Sequence, residues 1–345
     1  MQLSLQTVGL VGLSVVGLAS TFLVLFHRKA TLYKISLFFR SFAFILKSQD
    51  MNWKNKSIDK QIDNSDAVSS TTKTLLLLRH GESTWNVTFN RSKNPIFFIP
   101  RLIFAGSYEL ILLLRGVRDS WFYDAPLCHE GIEQSQTLAA ALKALPPMNE
   151  DNRLLHIANA SKNTPPSVIV SSNLRRSLST AVIGLFDRLS RTEENIFVHH
   201  SLQEISRNPD TLSITPAKLQ PHPSWIESGY PLDIPKMYEL QLHVQDNTGN
   251  KHIHQTGLHR LNEFNDWLFS SFKEEYVIVS GHSLWFRHYF REFLPVTSTH
   301  KGKDKKIRNN GIISINVTCT THQNGEQTFV IDESSIKEVY LGFDE

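Results

Sequence analysis

Two histidines, two arginines and one carboxylate carry the chemistry that this chain can do. The first histidine lies in RHGESTWN, residues 79–86. The guanidinium of Arg79 offers a planar fork of donors that matches a phosphoryl group. His80, as a neutral imidazole, is a nucleophile able to take such a group covalently. Gly81 lets another stretch of backbone come close. The second histidine, His282, lies in SGHS at 280–283 and is followed by Ser283. Between them, SSNLRRSLSTA at 171–181 supplies Arg175 and Arg176, and LQE at 202–204 supplies Glu204. A phosphoryl transition state spreads negative charge over its equatorial oxygens. Two guanidiniums and two imidazoles meet that charge without a metal, and a placed carboxylate hands a proton to the leaving oxygen.

These residues need a frame, and the apolar runs provide one. Residues 74–78, 167–171, 196–200 and 276–280 each read as a short buried strand. Each run leads directly into one of the polar groups above. Open parallel sheets bind ligands outside the carboxyl ends of their strands. Arg175 and Arg176 open a helix just after a strand, where backbone N–H groups and the helix dipole favour an anion. Helices are expected over residues 130–144, stopped by Pro146 and Pro147, and over 258–272. Strands alternating with helices give a three-layer α/β/α fold with a mostly parallel central sheet.

Taken in order, LLLLRHGESTWN, DAPLCHEGIEQ at 124–134, SSNLRRSLSTA, LQE and SGHS resemble the histidine phosphatase superfamily, also called the phosphoglycerate-mutase-like family. The resemblance spans roughly residues 74–287 and is expected to run on to the end of the sequence. It implies that His80 forms a phosphohistidine and that Arg79, Arg176 and His282 line the phosphate pocket. It implies that Glu204 is the general acid, later taking a proton from water. Arg176, four residues before Thr180, matches the family's pocket arginine, so Arg175 is expected to face outward or make a salt bridge. Asn86 and Ser283 are the remaining expected phosphate contacts. No cofactor and no metal is implied. The FTGW and ERHYG segments of the family's mutases are missing: the chain reads WNVTFNRSKNPIFF, and Glu204 is followed by ISRNPD. The resemblance therefore implies a phosphoric monoester hydrolase of the histidine acid phosphatase type, acting on a phosphorylated small molecule or a phosphoprotein. A mutase and a non-catalytic phosphate-binding protein stand as alternatives.

Composition sets outer limits. The chain has 345 residues, 41% hydrophobic and 20% charged, which excludes wholesale disorder, collagen and a small disulfide scaffold. Lys plus Arg is 36 and Asp plus Glu is 33, so nothing directs it to nucleic acid. Cys128 and Cys319 cannot form a zinc-binding pair of motifs. His199–His200 and His252–Ile253–His254 lack the partners and spacing of a metal site. The basic stretch KGKDKKIR at 301–308 reads as a solvated loop, with contact to anionic lipid as the other reading.

The chain divides into an N-terminal anchor over residues 1–30, a juxtamembrane amphipathic segment and linker over 31–72, and a catalytic domain over 73–345. Residues 7–26 are uncharged and mostly apolar, enough at ~1.5 Å per residue to cross ~30 Å of hydrocarbon as a transmembrane helix. Arg28, Lys29, Lys34, Arg40 and Lys47 all follow that run, which places the catalytic domain of a single-pass protein in the cytosol. A cleaved signal or transit peptide and a buried globular helix are the rival readings. Residues 31–47 either lie in the membrane interface or pack on the domain. Residues 48–72 read as a polar linker. An apolar insert at about 87–123 is read as a lid touching lipid, as the wall of an apolar substrate pocket, or as a helical pair packed on the domain's own core. A proline-rich insert at about 206–257 reads as an irregular cap over the site.

Overall fold

The computed structural model describes residues 27–53, 66–230 and 233–345. The transmembrane helix expected over residues 7–26 lies outside these described residues. Seven strands, β1 (Ala67–Arg79), β2 (Ser167–Ser172), β3 (Ile196–His199), β4 (Leu242–His243), β5 (Tyr276–Gly281), β6 (Ile312–His322) and β7 (Gln327–Tyr340), form one sheet in the order β4-β3-β2-β5-β1-β6-β7. From β4 to β1 the strands run parallel. β6 joins β1 antiparallel and β7 joins β6 antiparallel, a hairpin extension that makes the sheet mixed.

The helices are α1 (Arg28–Lys47), α2 (Thr84–Phe89), α3 (Pro95–Leu114), α4 (His129–Lys143), α5 (Arg153–Ala158), α6 (Arg175–Gly184), α7 (Phe186–Thr192), α8 (Ile234–Gln241), α9 (Gly257–Ser271) and α10 (Ser283–Phe293). Several starts are written in the sequence. Ser83, Asn94 and Thr256 cap α2, α3 and α9 by accepting from Asn86, Ile96 and His259 backbone N–H groups. Pro95 opens α3, where its missing N–H costs nothing.

The run Leu75–Leu78 explains the three layers. Side chains alternate across a strand, so a four-leucine run must be covered on both faces. Leu76 and Leu78 pack with α4, α6 and α8 through Ile132, Leu178, Val182 and Tyr238. Leu75 and Leu77 pack with α9 and α10 through Phe264, Leu268, Trp285 and Tyr289. All four leucines are fully buried, each contributing roughly 1.5–3 kcal/mol to the fold.

Three expectations about the periphery change. The polar stretch 48–72 is tied to the domain at both ends rather than hanging free. Asp50 is fully buried between Lys251 and Arg260, 201 and 210 residues away, and β1 already begins at Ala67. One carboxylate neutralising two buried cations is a long-range contact, and no local pattern reports it. The insert at 87–123 holds the end of α2 and one long helix, α3, not a helical pair packed on the core. α3 buries Ala105 and Leu112, half-buries Phe98, Tyr108 and Leu113, and turns nine other large apolar side chains outward. Polar groups hold it down: Arg101 donates to the Val87 carbonyl at 3.0 Å, and Glu109 accepts from Trp121 N at 2.8 Å. The insert at 206–257 is only partly irregular, since it contributes α8 and the edge strand β4.

Candidate active site

Register brings the polar groups together. β1 lies beside β5 with Arg79 opposite Gly281, and β5 lies beside β2 with Ser280 opposite Ser171. The chain leaves these three strands at His80, His282 and the Arg175–Arg176 pair. His80 N donates to the Gly281 carbonyl at 3.1 Å, which fixes the first loop on the neighbouring strand. α6 and α10 start at the same edge, so two helix N-termini face the site. The loop after His80 also lies tight against the start of α4. A Cβ on Gly131 would meet the Glu82 carbonyl oxygen at 2.0 Å, and one on Gly81 would meet the Gly131 oxygen at 2.6 Å. Glycine is required at both positions by close approach.

The geometry at His80 fixes its chemistry. Its Nδ1 lies 2.6 Å from the Gly81 carbonyl oxygen, which can only accept. The proton therefore sits on Nδ1 and the Nε2 lone pair is free. Burial, and then the Arg176 and Arg79 guanidiniums, hold this imidazole well below its ordinary pKa, so it stays neutral. His282 is fully buried with its ring centroid 5.1 Å from that of His80. Its Nε2 is paired with Ser172 Oγ at 2.9 Å, while its Nδ1 has no partner.

Glu204 comes from the turn after β3. Its Oε1 accepts from Trp285 N in the first turn of α10 at 2.9 Å. A Glu204 oxygen and one ring nitrogen each of His80 and His282 lie within 4.8 Å of one another. Burial raises the Glu204 pKa, against the opposing pull of Arg176 and the Trp285 N–H, so its acid form persists to higher pH than that of a free carboxyl. The donor types of this trio would suit a divalent cation. The Nε2 of His80 is free to ligate, but Arg79, Arg176 and Lys306 all act on His80 as positive neighbours. That field opposes a cation and attracts an anion.

Arg79 donates from one terminal nitrogen to the Ile307 carbonyl at 2.5 Å, and its Nε has no partner. Both terminal nitrogens of Arg176 are held by Asp210, one by its carbonyl at 2.7 Å and one by its carboxylate at 3.2 Å. Arg175 is 1% exposed rather than facing outward, and it pairs with Asp119 at 2.5 Å and donates twice to the Asp124 carbonyl. It fastens the loop at 119–124 to α6. The exposures of Arg79, His80, Arg176, Glu204 and His282 are 8%, 3%, 2%, 7% and 0%, so the site is covered. Its cover includes the turn Pro209–Thr211 that carries Asp210.

The other expected contacts sit differently. Asn86 is half-buried in α2, and its Oδ1 accepts from Asn90 at 2.6 Å. Ser283 is buried as the first residue of α10, beside His282. His199 stacks on Trp267 and His200 pairs with Glu263 at 2.9 Å, so both serve packing. Sequence reading missed Asp210, Asp50 and Lys251. Lys251 donates to Asp50 and to the carbonyls of Glu204 and Ser206, which holds the Glu204 backbone in place. Each is a lone charged residue in an irregular stretch, with no spacing signal to find it by.

No family model matches the chain, and no curated protein does. Among solved structures, a mycobacterial glucosyl-3-phosphoglycerate phosphatase is similar at 16% identity, covering 75% of this chain and 97% of that one, with a TM-score of 0.37. An Escherichia coli structure described as an alpha-ribazole-5'-P phosphatase is similar at 14% identity, covering 77% of this chain and 99% of that one, with a TM-score of 0.36.

Proposed function

We propose that this chain hydrolyses phosphate monoesters through a phosphohistidine on His80. The observation that carries the reading is the Nδ1–H of His80 given to the Gly81 carbonyl, which leaves a neutral Nε2 among cationic groups. In the first step Nε2 attacks phosphorus and the ester P–O bond breaks. The Glu204 proton goes to the leaving oxygen. In the second step the Glu204 carboxylate takes a proton from water, the hydroxide attacks phosphorus, and the P–N bond breaks to release inorganic phosphate. Arg79, Arg176 and His282 meet the charge on the transferring group, with the N-termini of α6 and α10 behind them. Ser283 adds a backbone N–H and a hydroxyl at one of those N-termini, and Asn86, whose Oδ1 is taken by Asn90, has its amide Nδ2 to offer a phosphate. The substrate is a phosphorylated small molecule or a phosphoprotein.

The test is p-nitrophenyl phosphate hydrolysis by the full chain in EDTA, with a non-acidic quench to trap phosphohistidine. Label on His80 and its loss in His80→Ala support the reading. Undiminished turnover by a folded His80→Ala protein overturns it. We further infer that residues 1–26 tether the domain to a membrane with its bulk in the cytosol. The uncharged run and the basic residues after it support this. Protease added outside sealed microsomes should digest the domain, and protection of the domain would refute that orientation.

A further inference from the structure

Exposed apolar side chains are concentrated on two helices. Of the 25 exposed large apolar residues among the described residues, seven stand on α1 and nine on α3. The two helices are neighbours: Lys34 of α1 pairs with Glu109 of α3 at 2.6 Å, and the Arg118 guanidinium that follows α3 lies 5.4 Å from the Tyr33 ring. Soluble monomers rarely expose an apolar patch of this extent.

The charge pattern selects the occupant. α1 contains no carboxylate, and Arg28, Lys29, Arg40 and Lys47 are exposed. By helical spacing, Lys29, Arg40 and Lys47 share one edge of the stripe that holds Phe38, Phe39 and Phe42. Every exposed residue of α3 is uncharged, Ile96, Ile103 and Phe104 among them. An apolar stripe bordered by cations fits the headgroup–acyl boundary of an anionic bilayer. In a two-fold pairing with a second copy, the same basic edges would face each other.

α3 is long and apolar enough to cross a membrane. Its charged residues argue against crossing. Arg101 reaches back to the Val87 and Ser92 carbonyls, and Glu109 holds Trp121 N and Ser120 Oγ. The helix is thus fastened lengthwise to the domain, with one face free. Such a helix lies in a membrane surface rather than through it.

We propose that α1 and α3 form one docking face for an anionic lipid surface, distinct from the tether over residues 1–26. This face is joined to the site. α1 packs on the turn Pro209–Thr211, and Tyr33 Oη donates to the Ile214 carbonyl at 3.0 Å. The segment carrying Asp210 is therefore seated on a docking helix, and the catalytic edge of the sheet is held close to the lipid.

Because a tether alone would keep the chain on vesicles, the test reads depth. An environment-sensitive thiol dye is placed at Phe39→Cys, Ile103→Cys or Asn324→Cys in the full chain. Cys128 and Cys319 are buried, and the unsubstituted protein is the labelling blank. Asn324 lies in the turn beside the first residues of β1, ~40 Å of strand away from Arg79. In vesicles of phosphatidylcholine and phosphatidylserine, the dyes at 39 and 103 should shift to the blue and be quenched by acyl-chain nitroxides, while that at 324 stays in water. Quenching should weaken when phosphatidylserine is omitted. Water-like emission at 39 or at 103, or indifference to phosphatidylserine, overturns the proposal. So does a blue shift that lipid nitroxides leave unquenched. In that case a crosslinked dimer would identify a second copy on the face, and a monomer would identify residues 1–26.

Discussion

Replacing Asp210 with asparagine should make the proposed site bind phosphate more tightly. In the covered site the Asp210 carboxylate lies 3.2 Å from Arg176, with both side chains under a tenth exposed. A substrate phosphate must take that guanidinium from the carboxylate and then sit beside a second negative charge. Burial raises the Asp210 pKa against the pull of Arg176, so the carboxylate is held there at a cost. An ion pair this close and this buried is worth roughly 1.5–3 kcal/mol. Removing that competitor should therefore lower KM, and the inhibition constants of phosphate and vanadate, by roughly 10- to 100-fold. The Asp210→Asn protein keeps the backbone carbonyl that holds the other terminal nitrogen at 2.7 Å, so Arg176 stays in place. The assay is steady-state hydrolysis with product inhibition, beside a denaturation curve to confirm the fold. Wild type should also gain affinity as the carboxyl protonates on acidification, and the variant should lack that component. Unchanged or weaker phosphate binding in a folded Asp210→Asn protein would refute the reasoning. It would mean that the carboxylate positions Arg176 for substrate instead of competing with it.

Four further outcomes follow from the same geometry. Glu204→Gln should lower kcat on alkyl phosphates by roughly 10²–10⁴-fold. With p-nitrophenyl phosphate, whose leaving group needs no proton, it should instead accumulate phosphohistidine, seen by quench. In the pH–rate profile, the acid limb should lie below the ordinary imidazole range and the alkaline limb above the ordinary carboxyl range. The His80 pKa is depressed by burial and by Arg176 and Arg79, and the Glu204 pKa is raised by burial. A single limb near pH ~6.5 would contradict both. Asp50→Asn should lose roughly 3–5 kcal/mol in denaturant unfolding, because it leaves Lys251 and Arg260 buried without their carboxylate. Burial alone would raise the Asp50 pKa, but Arg260 and Lys251 hold it below the usual range. Its stabilisation is therefore present above pH ~3.9 and lost as pH falls through the lower folded pKa, and the variant should lack that acid dependence. Gly131→Ala should displace the loop after His80, since its Cβ would meet the Glu82 oxygen at 2.0 Å, and activity should fall further than stability. Activity equal to wild type would show that the loop can relax.

The sequence by itself determined the sheet and the candidate residues at its edge. Apolar runs such as Leu75–Leu78 and Val277–Val279 must be buried on two sides, which dictates helices on both faces. Each run stops at a residue able to bind or attack a phosphoryl group, so the edge that carries the site was legible from local pattern alone. Parallel register then supplied the convergence of His80, His282 and Arg176. Tertiary structure decided what local pattern does not encode. Asp50 and Lys251 find each other across 201 residues, and Asp210 finds Arg176 from a proline-rich stretch without periodicity. Such pairs are set by which loops the sheet brings face to face, not by spacing along the chain. The same holds for α1 and α3: their apolar residues are plain in the sequence. Only the folded chain shows that Arg101 and Glu109 turn α3 inward on its polar side and leave its apolar side bare, because a helix's buried face is chosen by its strongest partners.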